Sequence, residues 1–123
     1  MLVVVMDTLD YHERFIHSPS GSYFLFGPRG TGKSMWVARC CQGARHIDLL
    51  EPDVCRTFLA RPEQMAAIID ATPVGATLVV DEIQRVPELL TVIHQYMERR
   101  KDLRFVLTGS CARKLKRAGV DLL

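Results

Sequence analysis

Eight consecutive residues, Gly27-Pro28-Arg29-Gly30-Thr31-Gly32-Lys33-Ser34, constrain this chain more than anything else in it. They follow the spacing G-x-x-x-x-G-K-[ST]. Before them runs the apolar stretch Tyr23-Phe24-Leu25-Phe26, long enough for a buried strand. After them, residues 33–41 contain no helix breaker, and Met35, Trp36, Val37 and Ala38 suit a buried helix, with Trp36 a core residue. The local order is strand, glycine loop, helix. Glycines let a backbone turn through conformations closed to other residues and approach an anion closely. Successive N–H groups then form an anion-binding concavity, and the helix N-terminus adds its free donors and positive dipole end. Lys33 supplies a mobile positive charge for the β- and γ-phosphates of a nucleotide, and the Ser34 hydroxyl a ligand for Mg²⁺. Ordinary residue frequencies give this pattern in roughly half a per cent of chains of such length. An accidental glycine-rich turn is the poorer account. Gly27, Pro28, Arg29, Gly30, Thr31, Gly32, Lys33 and Ser34 are the expected nucleotide-binding residues. Arg29 is expected to face solvent or a neighbouring subunit.

A second feature lies downstream. Leu78-Val79-Val80-Asp81-Glu82 sets two acids just beyond an apolar strand candidate at 77–80. Ligands of open α/β sheets gather at the carboxyl ends of strands. Asp81 is expected to hold Mg²⁺ through its water shell, and Glu82 to orient and deprotonate an attacking water. Alone, an acid pair after a strand is a weak signal; with the loop upstream it gains meaning. Leu107-Thr108-Gly109-Ser110 ends another strand candidate, 104–107. A hydroxyl there reaches either the γ-phosphate or the attacking water, while the alternative is that Ser110 caps a short basic helix over 111–117 and Thr108 sits in a turn. Both readings stay open. Glu82, Lys33 and Ser110 are the candidate catalytic residues; Gln84 and Arg85, one turn past the acids, are weaker candidates.

The remaining segments fit the same layout. Residues 46–49 form a strand candidate, Pro52 sits well as the first residue of a helix, and Pro62 opens another. Val86, Leu89, Leu90, Ile93 and Met97 make a one-sided apolar stripe on the longest helix, expected from Pro87. Strands alternating with helices imply a parallel sheet with helices on both faces, an α/β fold.

With 123 residues the chain holds one domain and one core. Cys40, Cys41, Cys55 and Cys111 show no C-x-x-C spacing, and the four histidines do not cluster with them, so reduced buried thiols are expected rather than a metal site or a disulfide framework. The apolar run at 2–6 is far short of a membrane span of about 20 residues and lacks the flanks of a secretory signal. A cytoplasmic location, with no membrane partner, is expected. Net charge is +2, but residues 99–117 carry eight Lys or Arg and one Asp. That basic end, with Arg113, Lys114, Lys116 and Arg117, is compatible with nucleic acid and equally with a solvated helix face.

Taken together, residues 23–34, His46-Ile47-Asp48-Leu49-Leu50, residues 80–90 and Leu107-Thr108-Gly109-Ser110 resemble one family. It is a group of prokaryotic AAA-type P-loop ATPases whose ATPase module usually precedes a C-terminal domain of uncharacterised function. The resemblance implies a P-loop NTPase fold of three layers, α/β/α, with sheet order 5-1-4-3-2. It implies ATP rather than GTP, supported by the lack of a guanine-reading N-K-x-D, and Mg²⁺ as cofactor. The glycine loop and acid pair then correspond to the Walker A and Walker B motifs. Family members continue past the position of Leu123 into a fifth strand and an arginine-bearing segment. A truncated module is therefore expected, with the fifth strand missing, an unpaired edge beside the loop strand, and slowed turnover. The division expected is a lead-in at 1–20 and the ATPase domain at 21–123. Its partner would be another protein or a missing C-terminal domain, and oligomerisation is compatible with the open edge. The alternatives are a nucleotide-binding switch without efficient turnover and, less well supported, a small-molecule kinase.

Overall fold

A computed structural model describes residues 2–5, 21–27 and 33–110. Its strands are β1 (Leu2–Val5), β2 (Tyr23–Phe26), β3 (Arg45–Asp48), β4 (Thr77–Asp81) and β5 (Arg104–Gly109). The helices are α1 (Lys33–Cys40), α2 (Pro52–Ala60), α3 (Gln64–Ala71) and α4 (Leu89–Arg99), with a single 3₁₀ turn at Ile83–Arg85 after β4. Every described pairing is parallel, and the sheet order is β1-β2-β5-β4-β3. Counting from the loop strand β2, this is the expected 1-4-3-2 arrangement of an α/β P-loop fold.

One expectation is corrected. The place beside β2, expected to stand empty, is filled by β1 in parallel register, Leu2 opposite Tyr23 and Val5 opposite Phe26. Leu2-Val3-Val4-Val5 is wholly apolar and rich in β-branched residues, the composition that suits a pleated strand. The sheet thus draws its fifth described strand from the segment expected to be a lead-in. Helix starts shift too. The longest helix begins at Leu89, because the 3₁₀ turn and Pro87 intervene, and α3 begins at Gln64, two residues past Pro62.

Period-two alternation sends successive side chains to opposite faces. Phe24, Phe26, Leu78, Val80, Phe105 and Leu107 pack with Met65, Ile69, Leu89, Leu90 and Ile93 in one buried cluster, which takes in Phe58 of α2. Tyr23, Leu25, Val79 and Val106 pack with Trp36 and Val37 of α1, and with Cys41 just past its end, on the other side. Covered on both faces, the central strands read as continuous apolar runs. The stripe on α4 buries as its spacing predicts, with Met97 partly covered. Trp36 is fully buried, edge-on to Tyr23 at 5.6 Å between ring centroids. Burial pushes the neighbouring Cys41 thiol upward in pKa. No helix among the described residues is long and apolar enough to cross a membrane.

The ends of α3 and α4 are tied by Arg100. Its guanidinium donates to the carbonyls of Ile69 and Thr72, 3.1 Å each, closing the C-terminus of α3. It also grips Asp102 with two bonds of 3.0 Å, and Asp102 accepts from the Gly75 N–H at 3.2 Å. Gly75 has φ +79, a left-handed turn conformation that glycine adopts without a Cβ penalty. Hydrogen bonds from Arg100 lower the Asp102 pKa from 3.8 to about 2. A depressed carboxyl pKa stabilises the fold above the unfolded value and loses that contribution as pH falls through the folded one. Asp102→Asn is therefore expected to lower the thermal midpoint near neutral pH, with the gap to wild type closing as pH drops from 3.8 toward 2. Thermal melts of both proteins across that range measure it.

Candidate functional site at the carboxyl edge of the sheet

Parallel strands end together, so β2, β4 and β5 bring their carboxyl termini to one edge. Each delivers a residue singled out from the sequence. Of the loop, Gly27 is described and is buried; Pro28, Arg29, Gly30, Thr31, Gly32 and the Ser34 side chain lie outside the described residues. Lys33 opens α1, 6% exposed. Its Nζ donates to the Gly109 carbonyl at 3.1 Å and to the Gly27 carbonyl, and stands 3.6 Å from Glu82 Oε1. Gly27 N–H in turn donates to Gly109 O at 3.2 Å, so the ammonium sits where β2 and β5 close against each other.

The two acids reach this edge by a backbone turn. Residues adjacent along a strand point to opposite faces. Glu82 escapes that rule because it leaves β4 in the left-handed conformation, φ 61 and ψ 51. For a residue with a Cβ this is uncommon and costs on the order of 1–3 kcal/mol, a strain that clusters at functional positions. Thr108 and Ser110, two apart at the end of β5, receive the two acids. Thr108 Oγ1 accepts from the Glu82 N–H at 3.1 Å and donates to Asp81 Oδ1 at 3.0 Å. Ser110 Oγ donates to the Glu82 carboxylate, 2.7 and 3.0 Å from its two oxygens. Burial raises the Asp81 pKa, opposed first by the Thr108 hydroxyl and then by His46, whose Nδ1 lies 4.0 Å from Oδ2.

Lys33, Glu82 and Ser110 are therefore brought together, with Asp81 beside them. Arg85 is exposed on the outside of the 3₁₀ turn, while Gln84 turns inward and donates through Nε2 to Glu82 Oε2. The capping role weighed for Ser110, and the basic residues Arg113, Lys114, Lys116 and Arg117, fall outside the described residues.

Thr108 was legible only as a hydroxyl near a strand end; its bridge between both acids was not. Nothing in its local sequence announces that bridge, because the partners are 26 and 27 residues away. Thr108 is 2% exposed. Thr108→Val keeps its shape and removes both bonds, leaving a buried N–H and a part-buried carboxylate oxygen without that partner. A loss of about 1–3 kcal/mol is expected, measured as a lower urea midpoint at unchanged slope.

Comparison with curated proteins returns no match. A family profile described as an AAA domain matches residues 20–123, which takes in the loop, both acids and the end of β5. With that coverage and this sheet order, the chain belongs to the AAA domain family of P-loop ATPases.

Proposed function

We propose that this chain is an Mg²⁺-dependent module that binds and hydrolyses ATP and passes its nucleotide state to a partner protein or further domain. The observation that carries the reading is the convergence of Lys33, at the first turn of α1, with Asp81, Glu82 and Ser110 at one edge of a parallel sheet. The donor set suits the ligands. Asp81 offers a hard carboxylate oxygen and Ser34, second in α1, a hydroxyl, which match Mg²⁺ in kind. Bound there, Mg²⁺ would neutralise charge on the β- and γ-phosphates.

The residues divide the work. The backbone amides of the glycine loop and the N-terminus of α1 receive the phosphates. Lys33, now held by two carbonyls and close to Glu82, carries the mobile charge that exchanges these partners for phosphate oxygens. Glu82 takes a proton from water as the water oxygen bonds to the γ-phosphorus; the bond from that phosphorus to the bridging oxygen breaks, giving ADP and phosphate. Ser110 holds the Glu82 carboxylate in place and is near enough to register its protonation.

A second reading rests on a specific contact. With Lys33 Nζ at 3.6 Å and Ser110 at 2.7 Å, Glu82 is already engaged, an arrangement that favours a nucleotide-binding switch over rapid turnover. Single-turnover assays with labelled Mg²⁺-ATP separate the two. Phosphate release that depends on Glu82 supports the ATPase; saturable binding without release supports the switch. No saturable binding by folded protein overturns both.

A further inference from the structure

One polar side chain on the floor of this site has no part in the chemistry proposed above. Gln84 occupies the middle of the 3₁₀ turn and donates through Nε2 to Glu82 Oε2. Its Oε1 is buried and has no hydrogen-bond partner among the described residues. The orientation of the amide follows from charge: reversing it would set Oε1 against a carboxylate oxygen. Among the described residues such an arrangement costs folding energy, since one end of a buried amide is left without a partner there.

The space for it is made by Gly109. A Cβ at that position would stand 3.0 Å from Gln84 Oε1 and 2.9 Å from Phe26 Cε1, closer than side chains tolerate. The left-handed backbone at Glu82 brings its side chain to this edge, and the rotation of the carboxylate about its own bond is left to its hydrogen-bond partners. Among its described partners are the Ser110 hydroxyl, just past β5, and the Gln84 amide from the 3₁₀ turn. Ser110 contacts both oxygens, whereas Gln84 contacts Oε2 alone, and Lys33 stands nearer Oε1. The carboxylate is thereby oriented at each oxygen.

We propose that Gln84 is a positioning residue for Glu82, fixing the rotation of its carboxylate so that one oxygen meets the attacking water. The proposal rests on Glu82 being the general base. A base displaced from its productive geometry loses rate without losing substrate affinity. Gln84→Met keeps length and removes the donor. It is expected to lower single-turnover hydrolysis about 10- to 100-fold, with the Kd for Mg²⁺-ATP within about twofold of wild type. In a Glu82→Gln background the same substitution is expected to cost nothing further, because residues that act as one unit are not additive.

An equal loss in both backgrounds, an unchanged rate in the wild-type background, or a parallel loss of ATP affinity overturns it. If Glu82→Gln alone hydrolyses at the wild-type rate, the general-base reading fails and carries this one with it. If Glu82→Gln stops hydrolysis while Gln84→Met does not slow it, only the role of Gln84 fails. Where turnover is too slow to follow, affinity for Mg²⁺-ADP with aluminium fluoride, which mimics the transferring phosphoryl group, replaces the rate. Gln84→Met is then expected to weaken that complex by a similar factor relative to Mg²⁺-ATP. Equal weakening of both complexes, or of neither, overturns the proposal.

Discussion

Lys33→Ala is expected to weaken Mg²⁺-ATP binding about 10- to 150-fold, so that concentrations that saturate the wild-type chain leave the variant far from saturation. Lys33 is the one loop side chain whose described position places a positive charge at the junction of β2, β5 and α1. Hydrogen bonds from a charged donor to phosphate are worth about 1.5–3 kcal/mol, equivalent to roughly 10- to 150-fold in affinity. The loop amides remain in the variant, so residual binding reflects them alone. The same substitution removes the donor to the Gly27 and Gly109 carbonyls and the cation near Glu82. A stability loss of about 1–3 kcal/mol is expected alongside. Titration with labelled nucleotide, at a temperature where melts show both proteins folded, keeps the two effects apart. Equal ATP affinity in wild type and Lys33→Ala would sink the nucleotide-site assignment.

Glu82→Gln is expected to behave in the opposite sense, keeping the nucleotide and losing the reaction. The amide has nearly the volume of the carboxylate, and its oxygen still accepts from Ser110, so the left-handed turn at the end of β4 is retained. What it lacks is the capacity to take a proton from water, a contribution of typically 10²- to 10⁴-fold. ATP affinity is expected to stay level or rise, since a negative charge close to the phosphates has gone. Single-turnover phosphate release and equilibrium binding, measured on one preparation, check both halves. Hydrolysis at the wild-type rate would remove Glu82 from the role of base and leave Asp81, Ser110 and the loop to be reconsidered.

These contrasting expectations have different origins. The role of Lys33 follows from eight contiguous residues whose spacing carries its own mechanical reason. That of Glu82 needed more. Two adjacent acids after a strand would ordinarily point to opposite faces, and the sequence gives no sign that the second enters a left-handed conformation. For Ser110 the sequence leaves capping and catalysis even. The structure sets its hydroxyl 2.7 Å from Glu82, a contact the sequence did not show, while the capping alternative lies outside the described residues. Gln84 and Arg85 are neighbours with equal standing in the sequence, yet one turns inward and the other outward. The difference lies in the 3₁₀ turn, where a single residue changes the facing direction by about a third of a revolution.

Strand existence was legible for β2, β4 and β5, whose apolar runs are bounded by glycine, proline or charged residues. The edge position of β1 was not. The short apolar run at 2–5 carries no mark of the strand it lies beside, because that pairing is made with residues distant in the sequence.

The sequence by itself determined a loop able to cradle phosphate, the strand and helix that flank it, and two acids after a later strand. Those are short-range properties, set by backbone conformational preference and side-chain chemistry within a few residues. The family resemblance implied that β5 lies between β2 and β4; tertiary structure alone decided that β1 completes the edge. It also decided that Thr108, Ser110 and Gln84 grip the acids. Those contacts depend on which strands pair across long loops, a choice made by burying both sheet faces at once, and no local segment encodes it.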